Sequence, residues 1–209
     1  MNKKTVLVTA GPTREYIDPV RFITNASSGL LGYTIAETFS KKFNVILVSG
    51  PTLLKPKKNI KFYQVETSQQ MFNVVKKIFS KTDIFIATAA VCDYKIKNFS
   101  KTKIKKQNKQ LKLSFIPTVD ILKYCGKHKT KNQILVGFAL ETDNGLKNAI
   151  KKLKDKKLDY IVLNSPESMS SKYIKATIID KKFNITKLKK ITKLSFAKKL
   201  LRILWTKTN

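Results

Sequence analysis

The chain has no apolar run of the roughly 18 residues that a membrane-spanning helix needs. Hydrophobic residues make up an ordinary 42% of its 209 positions. Its first four residues, MNKK, carry two lysines, but a strand-like run follows where a signal peptide would carry an apolar segment and a small-residue cleavage site. The expectation is a cytoplasmic protein with no membrane partner. Cys92 and Cys125 are too few for a disulfide framework and lack metal-site spacing. The single histidine, His128, stands among lysines and reads as a surface residue. The fingerprint G-x-G-x-x-G is absent, since Gly29 and Gly32 supply only its last half and Gly11 stands far upstream. That disfavours an ordinary nicotinamide enzyme. No Walker phosphate loop, H-E-x-x-H, EF-hand loop or Gly-x-Ser-x-Gly elbow occurs either.

Acidic residues are scarce, 13 against 43 Lys+Arg, for a net charge of +30. Such a charge ordinarily points to nucleic acid. Here the basic residues argue otherwise. Only Arg14, Arg21 and Arg202 are arginine, and the lysines are spread along the chain among many Ile and Asn. That pattern fits a bias toward AAA-type codons, which raises charge without selecting a partner, so no nucleic-acid partner is expected. In such a chain the remaining arginines mark places that need a planar, two-pronged fork. Two of the three lie in one stretch, residues 6–32.

That stretch concentrates the chemistry. It opens with an apolar strand at 5–9 and closes on Ser27, Ser28 and Gly29 at the start of an amphipathic run, 30–42. Between them lies a loop of nearly twenty residues, and long loops in compact domains are usually functional. A strand, a polar Gly/Ser loop and a helix start make an anion cradle, because the first amides of a helix point free N–H groups outward.

Farther along, hydrophobic spacing predicts a helix at 28–42 with Leu31, Ile35, Ala36 and Phe39 inward. Strands follow at 44–49 and 61–65, then a helix capped by Thr67 or Ser68 and running to about 80. A fourth strand covers 83–89. Residues 95–109 are polar and lysine-rich and read as a solvated loop or hairpin tip, and 110–115 alternate like a half-buried strand. A short helix at 120–127, a strand at 133–138 and a helix at 145–157 with Leu146, Ala149, Ile150 and Leu153 inward come next. The chain ends in a strand at 160–163, a hairpin of 174–179 with 183–188, and a helix at 192–204. The alternation argues an α/β, Rossmann-like layered fold over residues 1–209. It would have a mainly parallel central sheet, helices on both faces and a small strand or hairpin excursion. Ligands in such sheets sit at the carboxyl ends of the strands.

Four clusters carry candidate chemistry. One is Gly11, Arg14, Asp18 and Arg21; another is Asn25 to Gly29 at a helix start. A third sets Asp93 beside Lys103, Lys105 and Lys106; the fourth is Lys152 and Lys156, four apart on one helix. Like charges at that spacing repel, so either an anion lies between them or both are solvated. Together the clusters point to a multiply charged phosphate ligand, a nucleoside triphosphate with Mg²⁺.

The segments TAGPTRE (9–15), DPVRFITN (18–25) and SSGLLG (27–32) resemble the start of phosphopantothenoylcysteine synthetase. In bacteria that enzyme is often the C-terminal half of a bifunctional coenzyme A biosynthesis flavoprotein. The resemblance continues in order through AAVCDY (89–94), KIKK (103–106), DIL (120–122), GFALET (137–142) and LDYIVLN (158–164). It implies a stand-alone synthetase without flavin, its decarboxylase supplied by another chain. It implies CTP, Mg²⁺, 4'-phosphopantothenate and L-cysteine as reactants, and a homodimer. By resemblance Asn25 engages the acyl-nucleotide intermediate, and Lys103 is the essential lysine of a flexible, lysine-rich flap, about 95–109, that closes over the nucleotide. Ala87, Thr88, Ala89, Asp93, Val119, Asp120, Ile121, Leu122, Phe138, Lys152 and Lys156 match nucleotide-binding positions, the last two reading phosphates. Gly11, Arg14, Arg21, Ser27, Ser28 and Gly29 form the phosphate and substrate loop, with one arginine expected to make a fork contact to a carboxylate or phosphate. No metal ligand is assigned. Val119 stands where the family commonly has proline, and Leu140 where alanine is frequent. Two other readings compete: an ATP-using ligase of the same type, and a nucleotide- or nucleic-acid-binding protein without catalysis. The presence of both Asn25 and Lys103 argues against the second.

Overall fold

A computed structural model describes residues 3–169 and 171–208. The first half runs β1 (Thr5–Ala10), β2 (Arg14–Tyr16), β3 (Phe22–Thr24), α1 (Leu30–Phe39), β4 (Asn44–Ser49), β5 (Lys61–Gln64), α2 (Ser68–Phe79), β6 (Ile84–Ala87) and β7 (Tyr94–Ile96). The second runs β8 (Phe115–Pro117), α3 (Ile121–His128), β9 (Ile134–Leu140), α4 (Gly145–Asp155), β10 (Tyr160–Asn164), β11 (Tyr173–Ile174), β12 (Ala176–Asp180), β13 (Ile185–Lys187), β14 (Ile191–Thr192) and α5 (Lys193–Thr208). Eight strands form one sheet in the order β13-β12-β10-β9-β6-β1-β4-β5, parallel from β5 to β10, with β12 and β13 antiparallel at one edge.

Numbering only the six parallel strands along the chain, their order in space is 3-2-1-4-5-6. The order reverses between β1 and β6. At such a point the loops leaving two neighbouring strands diverge to opposite faces and leave a crevice at the carboxyl edge.

Both faces are covered, so the central strands are apolar on both sides. Alternate residues of β1 serve different cores. Val6 and Val8 pack with Ile35 and Phe39 of α1 and Phe196 and Leu200 of α5. Leu7 packs on the other face with Met71 and Val75 of α2, Leu122 of α3 and Leu153 of α4. The start of α2 is a capping box: Thr67 accepts the Gln70 N–H at 3.2 Å, and the Gln70 side chain accepts the Thr67 N–H at 3.2 Å.

Several local expectations are corrected. The opening loop contains a hairpin, β2 with β3. Helix α1 begins at Leu30, because Gly29 takes φ +75° as its N-cap, and it stops at Phe39. Residues 110–114 form no strand; these mostly exposed residues have no surface to pack on. Pairing begins only at Phe115, opposite Ile96. Ile174 belongs to β11, which pairs with β14, so the final hairpin is β12 with β13 alone. Leu146 is exposed, although Ala149 and Leu153 of α4 are buried as its spacing predicts. Helix α5 starts at Lys193 and continues to Thr208.

Candidate active site at the switch point

The loops leaving β1 and β6 are stitched together. Thr88 donates to the Thr9 carbonyl through its N–H (3.2 Å) and its hydroxyl (2.6 Å). Beyond it, Ala90 N–H donates to Gly11 O at 2.9 Å and Thr13 N–H to Ala90 O at 3.2 Å. The Cys92 N–H reaches Thr13 Oγ1 at 2.9 Å. Asn25 joins this seam from the opposite side, its Nδ2 donating to Ala90 O at 3.0 Å. Cys92 is buried beneath, its Sγ donating to Thr13 O at 3.4 Å, and burial raises its thiol pKa.

Two clefts flank the seam and share Ala89, Ala90 and Phe138. The first, of about 440 Å³, is lined by Ala87, Asp93, residues 117–122, Lys152 and Lys156, a size typical of small-molecule sites. The second, about 160 Å³, lies over the start of α1 and is lined by residues 27–32, Thr88, Leu140, Asn164, Ser168, Met169, Ile174 and Lys193. Glycine is required at its edge. A Cβ on Gly32 would come within 2.5 Å of both Ala10 Cβ and Thr88 Oγ1.

The first cleft is electrostatically organised. Asp120 caps α3, its Oδ1 accepting the Lys123 N–H at 2.9 Å, while Oδ2 pairs with Lys156 Nζ at 2.7 Å. Burial pushes the Asp120 carboxyl up, but the Lys156 bond and the Lys123 N–H outweigh it and hold the pKa below the ordinary value. Lys152 Nζ donates to Phe138 O at 2.7 Å. Burial, then the neighbouring Lys156 charge, lowers its pKa. The two lysines thus have separate partners, Asp120 for Lys156 and the Phe138 carbonyl for Lys152. Lys156 is the C-cap of α4, one residue past its end.

The opening loop has its own anchor. Asp18 is fully buried and accepts three N–H groups, from Val20 (2.8 Å), Arg21 (2.9 Å) and Ile104 (3.1 Å). Arg21 reaches Asp18 with Nη1 (3.1 Å) and the Ile104 carbonyl with Nη2 (2.6 Å). Its fork therefore joins a carboxylate to the segment carrying Lys103. Arg14 meets Glu66 with one nitrogen at 3.4 Å and lies over the Phe22 ring, 4.4 Å from its centroid.

The site residues read from sequence therefore divide. Ala87, Ala89, Asp93, Val119, Asp120, Ile121, Leu122, Phe138, Lys152 and Lys156 all line the first cleft, while Thr88 turns to the second with Ser27, Ser28 and Gly29. Gly11 lies behind, at φ +70°, against Gly29. Lys103 is exposed and lines neither cleft; Arg21 lies in a third cavity with Ile104, Lys105 and Lys106. Arg14 lines none of the three.

Residues 1–207 match the family described as the DNA/pantothenate metabolism flavoprotein C-terminal domain. The chain belongs to that family. It is 41% identical over 212 residues to a prokaryotic protein named cysteine/cysteine sulfinic acid decarboxylase, covering 99% of this chain and 59% of that protein. It is 35% identical over 208 residues to the coenzyme A biosynthesis bifunctional protein CoaBC of Borreliella burgdorferi, covering 98% of this chain and 53% of that one. The crystal structure of the C-terminal domain of a CoaBC protein superposes with a TM-score of 0.84 at 39% identity, covering 99% of this chain and 96% of that domain. The chain spans about half the length of the curated relatives it matches.

Within this family fold, the sequence reading missed Asn164, Ser168 and Lys193, all in the second cleft. Asn164 ends β10 at the carboxyl edge, a position that could have flagged it. Lys193 is one lysine in a chain full of them and gives no such signal.

Proposed function

We propose that this chain is a phosphopantothenate–cysteine ligase acting in coenzyme A biosynthesis. The observation that carries the reading is the pair of clefts meeting at Ala89 and Ala90, beside Asn25, in a member of this family. A ligase of this type must bring a nucleoside triphosphate and a carboxylic acid to one point. The first cleft takes the nucleotide, with Val119 to Leu122 and Phe138 against the base and ribose and Lys152 and Lys156 toward phosphate. The second takes the acid. The acid's carboxylate oxygen attacks the α-phosphorus of CTP and pyrophosphate leaves, forming an acyl-cytidylate. The cysteine nitrogen then attacks the acyl carbon, a proton is lost from that nitrogen, and CMP leaves.

Neither step needs a protein nucleophile. Both need position and neutralised charge. Asn25 offers an amide that hydrogen-bonds an acyl oxygen without titrating, and its bond to Ala90 O fixes it at the junction. Lys103 is exposed outside both clefts; in this reading it comes to the nucleotide by movement of its segment or from a second subunit. Mg²⁺ usually comes with substrate phosphates and one or two carboxylates, which Asp93 in the first cleft fits. Among the described residues no group of three or more His, Cys, Asp or Glu is placed to hold a metal ion. Bound, Mg²⁺ neutralises triphosphate charge. We also propose a homodimer through the adjoining hairpins β2–β3 and β7–β8, which expose Phe22, Tyr94 and Phe115.

The test mixes the protein with 4'-phosphopantothenate, cysteine, Mg²⁺ and either CTP or ATP. The expected result is pyrophosphate release dependent on the acid, and faster with CTP. Faster turnover with ATP assigns the other nucleotide. No release with either, or carbon dioxide lost from cysteine without nucleotide, contradicts the reading.

A further inference from the structure

One backbone contact adjoins the first cleft without lining it. Gly126, buried in α3, lies against the end of α4. A Cβ built on it would overlap the Lys156 carbonyl oxygen and stand 2.8 Å from the Lys156 carbonyl carbon. These are backbone atoms, which cannot swing aside as the tip of a side chain does. The two helices meet this closely because residue 126 has no side chain.

The chain turns left-handed immediately after that carbonyl. Lys157 takes φ +50°, at the position after a helix where glycine is the usual residue. Its N–H donates to Lys154 O at 3.0 Å, and the Leu158 N–H donates to Leu153 O at 2.9 Å. Leu153 and Leu158 are buried in one core. Together these features make a Schellman turn, built here around a strained lysine.

From this root the Lys156 side chain runs back along α3. Its Nζ meets Asp120 Oδ2 at 2.7 Å, and Asp120 is the N-cap of α3. Asp120 stands six positions before Gly126, about 9 Å along a helix axis. An arm covering that length has to be extended, so any retreat of its root draws the ammonium off Asp120. Burial raises the Asp120 pKa, and the Lys156 bond is the foremost influence that pulls it below the ordinary value.

We infer that Gly126 and Lys157 are positioning residues of the first cleft, which neither of them lines. The bare backbone of α3 and the left-handed turn fix the root of Lys156, and so set its ammonium at the cleft wall where a triphosphate meets it. This inference rests on reading the first cleft as the nucleotide site.

Calorimetric titration with CTP and Mg²⁺, steady-state kinetics and carbon-13 NMR titration of the Asp120 carboxyl test it. Gly126→Ala should weaken CTP binding about tenfold, the lower end of what losing a charge-assisted hydrogen bond costs. KM for phosphopantothenate and for cysteine should stay unchanged, and Asp120 should titrate higher than in the wild type. Lys156→Met should lose at least as much CTP affinity. Adding Gly126→Ala to it should cost little more, because both changes act through one ammonium. Lys157→Val should reproduce the loss, since a β-branched residue resists positive φ, and Lys157→Gly should regain what valine loses. An unmoved Asp120 titration or full CTP affinity in Gly126→Ala overturns the inference. So does a loss that adds in full to that of Lys156→Met, which would mark a general loosening of α3. Should Gly126→Ala not fold, Lys157→Val and Lys157→Gly decide by the same two readouts. Should the wild type not bind CTP, the nucleotide reading fails separately, and the Asp120 titration still decides whether Gly126 positions Lys156.

Discussion

The proposed chemistry rests on single side chains, and Asn25 is the sharpest case. Its Nδ2 donates to Ala90 O in the seam, so an Asn25→Asp variant loses a donor there and gains a negative charge beside the proposed acyl centre. Pyrophosphate release should persist while cysteine coupling falls by about a hundredfold or more, the usual effect of deleting one transition-state donor. Quenched-flow chromatography should show acyl-cytidylate accumulating, and normal turnover would remove Asn25 from the second step. At this scale the sequence was informative wherever residue type was rare. Arg21 stood out because arginine is scarce, and the structure gives it a fork that lysine could not reproduce, one prong on Asp18 and one on Ile104 O. Lys193 was invisible for the converse reason: only its burial distinguishes it from the exposed lysines.

Elements decide how firmly those side chains are held. Helix α1 can begin against β1 only because Gly32 has no Cβ, so Gly32→Ala should force α1 away from Ala10 and Thr88. Overpacking of that kind costs about 1–3 kcal/mol, measurable by urea denaturation. Asp159 pins the β9–β10 side of the sheet, accepting Lys129 Nζ at 2.5 Å, Leu135 N–H at 2.9 Å and Lys181 Nζ at 3.0 Å. Burial pushes its carboxyl up, yet the Lys129, Leu135 and Lys181 bonds prevail and lower its pKa below the ordinary 3.8. The native value lies below the unfolded one, so its contribution is complete above about 3.8 and disappears as pH falls through the native value. Asp159→Asn should cost about 3 kcal/mol at neutral pH, as breaking a buried pair does, and should flatten the acid limb of the stability profile. The Ile104 amide should exchange slowly in the wild type and rapidly in Asp18→Ala, because Asp18 is its acceptor. The regular elements were legible from hydrophobic period, since sheet and helices bury their apolar faces. The hairpins β2–β3 and β7–β8 were not, because three-residue strands offer too short a pattern, and β7 and β8 also pair across a long loop.

At the scale of the whole molecule, the sheet order made the site predictable in place though not in detail. A strand–helix alternation implied a parallel sheet and a crevice at its carboxyl edge. Only the folded chain reveals that the crevice is divided by the Ala89–Ala90 seam into two clefts. Lys103 lies outside both, so the role proposed for it requires movement of its segment or a second subunit. Light scattering should report a mass near twice the 23.8 kDa of one chain, and a monomer would contradict the proposed pairing through the hairpins. The most direct test of the account is a crystal structure of Asn25→Asp with Mg²⁺, CTP and phosphopantothenate, without cysteine. The expected result is one continuous ligand crossing the seam, cytidine against Val119 to Leu122 and the acid in the second cleft. A nucleotide bound elsewhere, or an acid that does not enter the second cleft, would contradict it.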